Sequence, residues 1–173
     1  MFASGTGTTA YFVAKYFASR RDCVTVEGNL SDVEVIAIPC VSTSAHLLQQ
    51  MKQLQSMCEH ANTLSGDDVH VFPTIMSSNV TKKRVFAKPY KEHFHIWKEL
   101  HLQSGIEFDL IYAPRAFEIM LVHANPPAAN NKQYSLEISL TKWVPGTNIV
   151  YYHCGGVEGN ESQLARYQRD NIT

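Results

Sequence analysis

A chain of 173 residues with 45% apolar content can bury one sizeable core, so a single domain over 1–173 is the expectation. Fifteen basic residues against sixteen acidic ones leave a formal net charge of -1, and no Lys/Arg run is long enough to follow a phosphate backbone, which argues against nucleic acid as a partner. No stretch of about eighteen apolar residues occurs, which argues against a membrane span.

The chain opens on Met1-Phe2-Ala3, which reads like the end of a strand and runs into the turn Ser4-Gly5-Thr6-Gly7-Thr8-Thr9. Tyr11 to Ala18 then predict an apolar helix ending near Ser19-Arg20-Arg21, where basic residues suit the negative end of the helix dipole. After the polar stretch Glu27 to Asp32, the β-rich run Val33 to Ile38 predicts a strand closed by Pro39. Leu47, Leu48, Met51, Leu54 and Met57 recur at helical spacing and predict an amphipathic helix from about Ser44 to His60, with Ser42, Thr43 or Ser44 as its N-cap.

A short strand is expected around Val69 to Phe72, ending at Pro73. The basic spot Lys82-Lys83-Arg84 with Lys88 reads as a solvated loop. A third helix is expected over Tyr90 to Gln103, stopped by Gly105, and a short helix from Phe117 to Val122 after Ala113-Pro114-Arg115. Asn125 to Lys132 reads as a loop, and Tyr134 to Trp143 fits a strand or a helix end equally. Asn148 to His153 predicts the last strand, followed by the turn Cys154-Gly155-Gly156 and a helix containing Leu164, Ala165 and Tyr167. This alternation points to an α/β fold with a mostly parallel sheet.

The Ser4 to Thr9 turn is the main chemical signal. Glycine leaves the backbone open to close approach, hydroxyls surround it, and a helix N-terminus follows, a combination suited to phosphate. The same residues fit the looser dinucleotide fingerprint Gly5-x-Gly7-x-x-Ala10, but the acidic residue that should follow the second strand is missing, since Glu27 and Asp32 precede it. No Gly-Lys-Ser/Thr follows the glycines, which argues against a nucleoside-triphosphate loop.

Other candidates are weaker. His93-x-His95 places its two rings far apart around a helix, so both read as surface histidines and no metal site is expected. Cys23, Cys40, Cys58 and Cys154 form no C-x-x-C pair, which fits a reducing compartment. His153 and Cys154 are neighbours on a strand and point to opposite faces, which argues against a thiol–imidazole pair.

Asp109-Leu110-Ile111-Tyr112-Ala113-Pro114-Arg115 resembles the Asp-x-x-Tyr-x-x-Lys segment of the pyridoxal-phosphate family of D-cysteine desulfhydrase and aminocyclopropane-carboxylate deaminase. His153-Cys154-Gly155-Gly156 resembles its His-x-Gly-Gly segment, and the glycine/threonine turn stands upstream in family order. The resemblance implies a three-layer α/β fold, a mostly parallel sheet flanked by helices, as part of the large domain of a fold-type-II enzyme. It implies that Ser4, Gly5, Thr6, Gly7, Thr8 and Thr9 hold the phosphate of pyridoxal 5'-phosphate, that Tyr112 lies beside cofactor and substrate, and that Gly155 and Gly156 let the backbone pass close to the cofactor. His153 is expected to be structural.

The departures are equally specific. Ala113 stands where the family has a glutamate or threonine on the pyridine nitrogen, Arg115 where it has lysine, and Phe86 where a second tyrosine is expected. The Schiff-base lysine segment, which the family carries upstream of its phosphate loop, has no counterpart here, and Lys15 reads as a surface residue. The expectation is an inactive fragment of a lyase or deaminase acting on a small amino acid, with a homodimer left open as its assembly. Its expected location is cytoplasmic, with an organelle open because any signal would lie upstream. A non-catalytic module that binds a phosphate-bearing ligand is the alternative, and a dinucleotide-dependent oxidoreductase comes third.

Overall fold

The computed structural model describes residues 1–20, 24–25, 28–29, 33–61, 71–77, 81–124 and 148–172. They fall into two compact units, Met1–Ser77 and Ser78–Thr173.

The first unit is a mixed α/β unit. Strand β1 (Phe2–Ser4) pairs in parallel with β4 (Ile36–Pro39), Phe2 opposite Ala37 and Ser4 opposite Pro39, and β4 pairs in parallel with β5 (Thr74–Ile75). The sheet order is therefore β1-β4-β5, with a separate two-stranded antiparallel ribbon of β2 (Val24–Thr25) and β3 (Gly28–Asn29). Parallel strands need long crossovers. Helix α1 (Thr8–Ser19) lies in the first and helix α2 (Ser44–Ala61) in the second.

Both helices form as their spacing predicts. Ala10, Tyr11 and Ala14 face the core, where Phe2, Ala37, Leu47 and Met51 meet them. Phe12 and Tyr16 on α1 stay exposed. Thr43 is the α2 cap: its Oγ1 accepts from the His46 N–H at 3.2 Å, and its carbonyl accepts from the Leu47 N–H at 3.0 Å.

Two strand boundaries differ from expectation. The first run is strand only from Ile36, and Val33 to Val35 lie outside it. The short strand follows Pro73 and does not end there. Proline has no N–H for a ladder, and pairing starts one residue later, where the Thr74 N–H donates to the Val35 carbonyl at 2.9 Å. Residues 69–70, the loop 125–132 and the segment 134–143 lie outside the described residues, as do Cys23, Glu27 and Asp32.

In the second unit, helix α3 (Lys91–Ser104) ends on Gly105 at φ 69°, the left-handed stop expected of that glycine. Helix α4 (Ala113–Ala124) is four residues longer at its start than the expected Phe117. Pro114 sits in its first turn, where a missing N–H costs nothing. Every residue from Ala113 to Leu121 is buried, so α4 is surrounded on all sides. A short 3₁₀ turn (Val157–Gly159) leads into helix α5 (Asn160–Arg169). Tyr167 of α5 stacks on Phe94 of α3 at 5.1 Å between ring centroids.

The expected last strand is a correction. Among the described residues, 148–153 form no multi-residue strand and carry a single bridge at Tyr152. Tyr151 packs on Phe117 at 4.8 Å and on Phe108 at 6.1 Å, while Val150 and Tyr152 are exposed.

Gly7 is the residue on which the first turn depends. Its φ is 80°, and a Cβ there would overlap the end of Met51 and come within 2.9 Å of Leu47 Cδ1. Substitution Gly7→Ala is expected to destabilise the chain by about 1–3 kcal/mol, from left-handed backbone strain and core overpacking. A urea titration followed by far-UV circular dichroism measures it as a lowered midpoint with unchanged slope.

Candidate functional site

The predicted phosphate turn lies in the first unit. The Ser4 carbonyl accepts from the Cys40 N–H at 3.0 Å, and the buried Ser4 hydroxyl donates to the Phe2 carbonyl at 3.2 Å, so Ser4 is tied into the strand. Gly5 is half-buried and Gly7 buried, while Thr6, Thr8 and Thr9 are exposed. The Thr6 and Thr8 hydroxyls lie 3.0 Å apart at the mouth of the turn.

Helix α1 begins directly on Gly7, with no side-chain cap and no acidic residue in its first turn. The first N–H groups of a helix have no partner within it, and the dipole makes that end positive. The other N-termini differ. Thr43 caps α2, Glu92 lies in the first turn of α3, Asp109 covers α4, and Glu161 lies in the first turn of α5. Among the described residues, α1 is the helix with neither a side-chain cap nor an acidic residue at its N-terminus.

Tyr112, Gly155 and Gly156 lie in the second unit, where the structure brings the two motif segments together. The buried Asp109 carboxylate accepts N–H groups from Ile111 at 3.0 Å, from Tyr112, and from Ala113 at 3.2 Å. The Asp109 N–H in turn donates to His153 Nε2 at 3.2 Å. The same Nε2 lies 3.4 Å from Asp109 Oδ2. A Cβ on Gly155 would overlap the Asp109 carboxylate.

Asn160 at the start of α5 completes the frame. Its Oδ1 accepts from the Leu110 N–H at 2.8 Å, and its Nδ2 donates to the Phe108 carbonyl at 2.9 Å and to Glu107 at 3.1 Å. The half-buried Tyr112 ring lies 5.2 Å from Phe86, the residue standing where a second tyrosine is expected. Ala113 is fully buried with its N–H given to Asp109. Partial burial of its sulfur and the nearby Asp109 charge push the Cys154 thiol up, away from nucleophilic use.

The strongest electrostatic feature of this unit escaped the sequence reading. Glu118 accepts from Arg84 at 2.6 Å, from His93 Nε2 at 3.0 Å and from Arg115. Arg115 also donates to the Thr81 hydroxyl at 2.7 Å, and Arg84 lies over the Tyr90 ring at 4.5 Å. Burial alone would raise the Glu118 carboxyl; the hydrogen bonds and charges of His93 and Arg84 outweigh it and hold it at about 2. An ionised carboxylate only accepts, so His93 Nε2 carries the proton of that bond.

Two expectations are corrected here. His93 is buried and not a surface residue, although His95 is exposed. Arg84 is withdrawn from the solvated loop that Lys82, Lys83 and Lys88 still form. The available signal was Arg115-x-x-Glu118, an i,i+3 pair inside an otherwise apolar helix, which marks charges that must be buried together. Among the described residues, no three His, Cys, Asp or Glu side chains gather as they would around a metal.

The Glu118 carboxyl sits below its ordinary value of 4.5, so its contribution to stability is complete above that pH and is lost as pH falls from about 4.5 to about 2. The linked free energy is on the order of 3 kcal/mol. Acid titration of the wild-type chain should show this loss, and Glu118→Gln should be less stable at pH 7 with a flatter profile in that window. A parallel profile for the variant would remove Glu118 as its source. No protein-family model matches this chain, and no curated protein sequence matches it.

Proposed function

We propose that this chain is part of a fold-type-II pyridoxal-phosphate enzyme of the desulfhydrase and deaminase type, with Ser4 to Thr9 as the phosphate seat and Tyr112 beside the substrate. The observation that carries the reading is the open N-terminus of α1: a left-handed glycine, exposed Thr6 and Thr8 hydroxyls, and neither a cap nor an acidic residue. Backbone amides of this kind suit a phosphate monoester. The three-stranded parallel sheet with crossover helices is the kind of framework in which such a turn occurs.

Pyridoxal phosphate, when bound, supplies an electron sink for breaking a bond at the α-carbon of a small amino acid. The chain's own contribution would be to seat the phosphate at Thr6, Gly7 and Thr8 and to present the Tyr112 phenol, which can hydrogen-bond or pass a proton. The overall reaction of the complete enzyme would release ammonia and a keto acid. For this chain the proposal is binding of the cofactor phosphate, and turnover belongs to the complete enzyme.

One observation favours a second reading. Ala113 offers no side-chain group to a ring nitrogen and has already given its N–H to Asp109, which suits a module that binds a phosphate-bearing ligand without chemistry. Calorimetric titration separates the readings. Under the enzyme reading, pyridoxal phosphate binds saturably and more tightly than inorganic phosphate or phenyl phosphate, and NAD does not bind. Equal affinity for pyridoxal phosphate, phenyl phosphate and inorganic phosphate favours the module. Thr8→Glu should weaken binding at least about tenfold while leaving stability equal or slightly raised, because an acid suits a helix N-terminus. No saturable binding of any phosphate ester, or binding untouched by Thr8→Glu, ends both readings.

A further inference from the structure

We infer that Asp109 is the positioning residue of Tyr112, and that position 155 is glycine to make room for the Asp109 carboxylate. The inference rests on the reading above for the task Tyr112 performs, but its physical content stands in the second unit alone.

Three facts converge on it. The Asp109 carboxylate holds the N–H groups of Ile111, Tyr112 and Ala113 together, so the backbone of Tyr112 enters α4 on a carboxylate bracket rather than on a freely hinged turn. The bracket is itself held. Its own N–H is spent on His153 Nε2, and Asn160 grips the residues on either side through the Phe108 carbonyl and the Leu110 N–H. Finally, the carboxylate occupies the space a side chain at 155 would take. The glycine of the second motif therefore serves the aspartate of the first, a role distinct from a close pass of backbone to cofactor.

The consequence for the site is directional. With the Tyr112 main chain fixed, its ring has few places to go, and it rests against Phe86 at 5.2 Å with the planes 60° apart. A capping role alone would make Asp109 matter to the stability of α4 and leave the ring where it is. A positioning role makes the ring move when the bracket is removed, even in molecules that remain folded.

The test uses the full chain carrying fluorotyrosine, without cofactor, with Tyr112 assigned through Tyr112→Phe and Tyr167 as an internal reference. In Asp109→Ala the fluorine signal of Tyr112 should shift toward that of an exposed tyrosine while Tyr167 stays in place. Asp109→Asn should restore much of the original shift, because an amide oxygen can still accept from Ile111 and Tyr112. Gly155→Ala should reproduce the Asp109→Ala shift, and the double variant should move the signal no further than either alone. A Tyr112 signal unchanged in folded Asp109→Ala or in Gly155→Ala overturns the inference, as does an additive double variant. If Asp109→Ala does not fold, Asp109→Asn and Gly155→Ala decide the matter. Because no cofactor is present, failure of pyridoxal phosphate to bind and failure of the bracket are read in separate experiments.

Discussion

A carboxylate taken out of water persists only where hydrogen bonds replace the solvent it has lost. Asp109 meets that condition with three consecutive main-chain donors, and the arrangement dictates where α4 begins. Helix α4 is buried throughout Ala113 to Leu121, and it carries Arg115 and Glu118 into the interior. Glu118 then draws Arg84 from the preceding segment and His93 from α3 onto one carboxyl group. The second unit is thus organised by two buried acids, the first setting the helix and the second tying its neighbours to it.

The helix N-termini show a division of labour. Asp109 occupies the positive end of α4 with the protein's own charge, and Thr43 caps α2 with a hydroxyl. At α1 the corresponding place is a left-handed glycine followed by exposed threonines. A closed N-terminus stabilises the fold, whereas an open one keeps backbone donors for a ligand. The contrast sets the turn at Gly7 apart from the other helix starts among the described residues.

Much of the helix placement could be read from residue pattern. The spacing of Leu47, Met51 and Leu54 outlines α2 to within a residue at either end, and Gly105 stops α3 where a left-handed residue is needed. These are local effects: helical period, capping and backbone freedom act within a few residues and leave a direct trace in the sequence. Asp109 and Tyr112 were grouped only through a family resemblance, and the hold of Asp109 on the following amides came from the structure.

What the sequence by itself determined is the placement of helices, the glycine turn between a strand and a helix, and the candidate residues within each motif. Tertiary structure alone decided that Asn148 to His153 would pack through Tyr151 on Phe108 and Phe117 without building a sheet strand, that Arg84 and His93 would leave the surface for Glu118, and that Gly155 would face Asp109. The reason is one of range. Turns and caps are set by neighbours along the chain, whereas the partner of a buried charge, the place of an extended segment and the room around a glycine depend on residues far away in sequence, whose arrival no local pattern records.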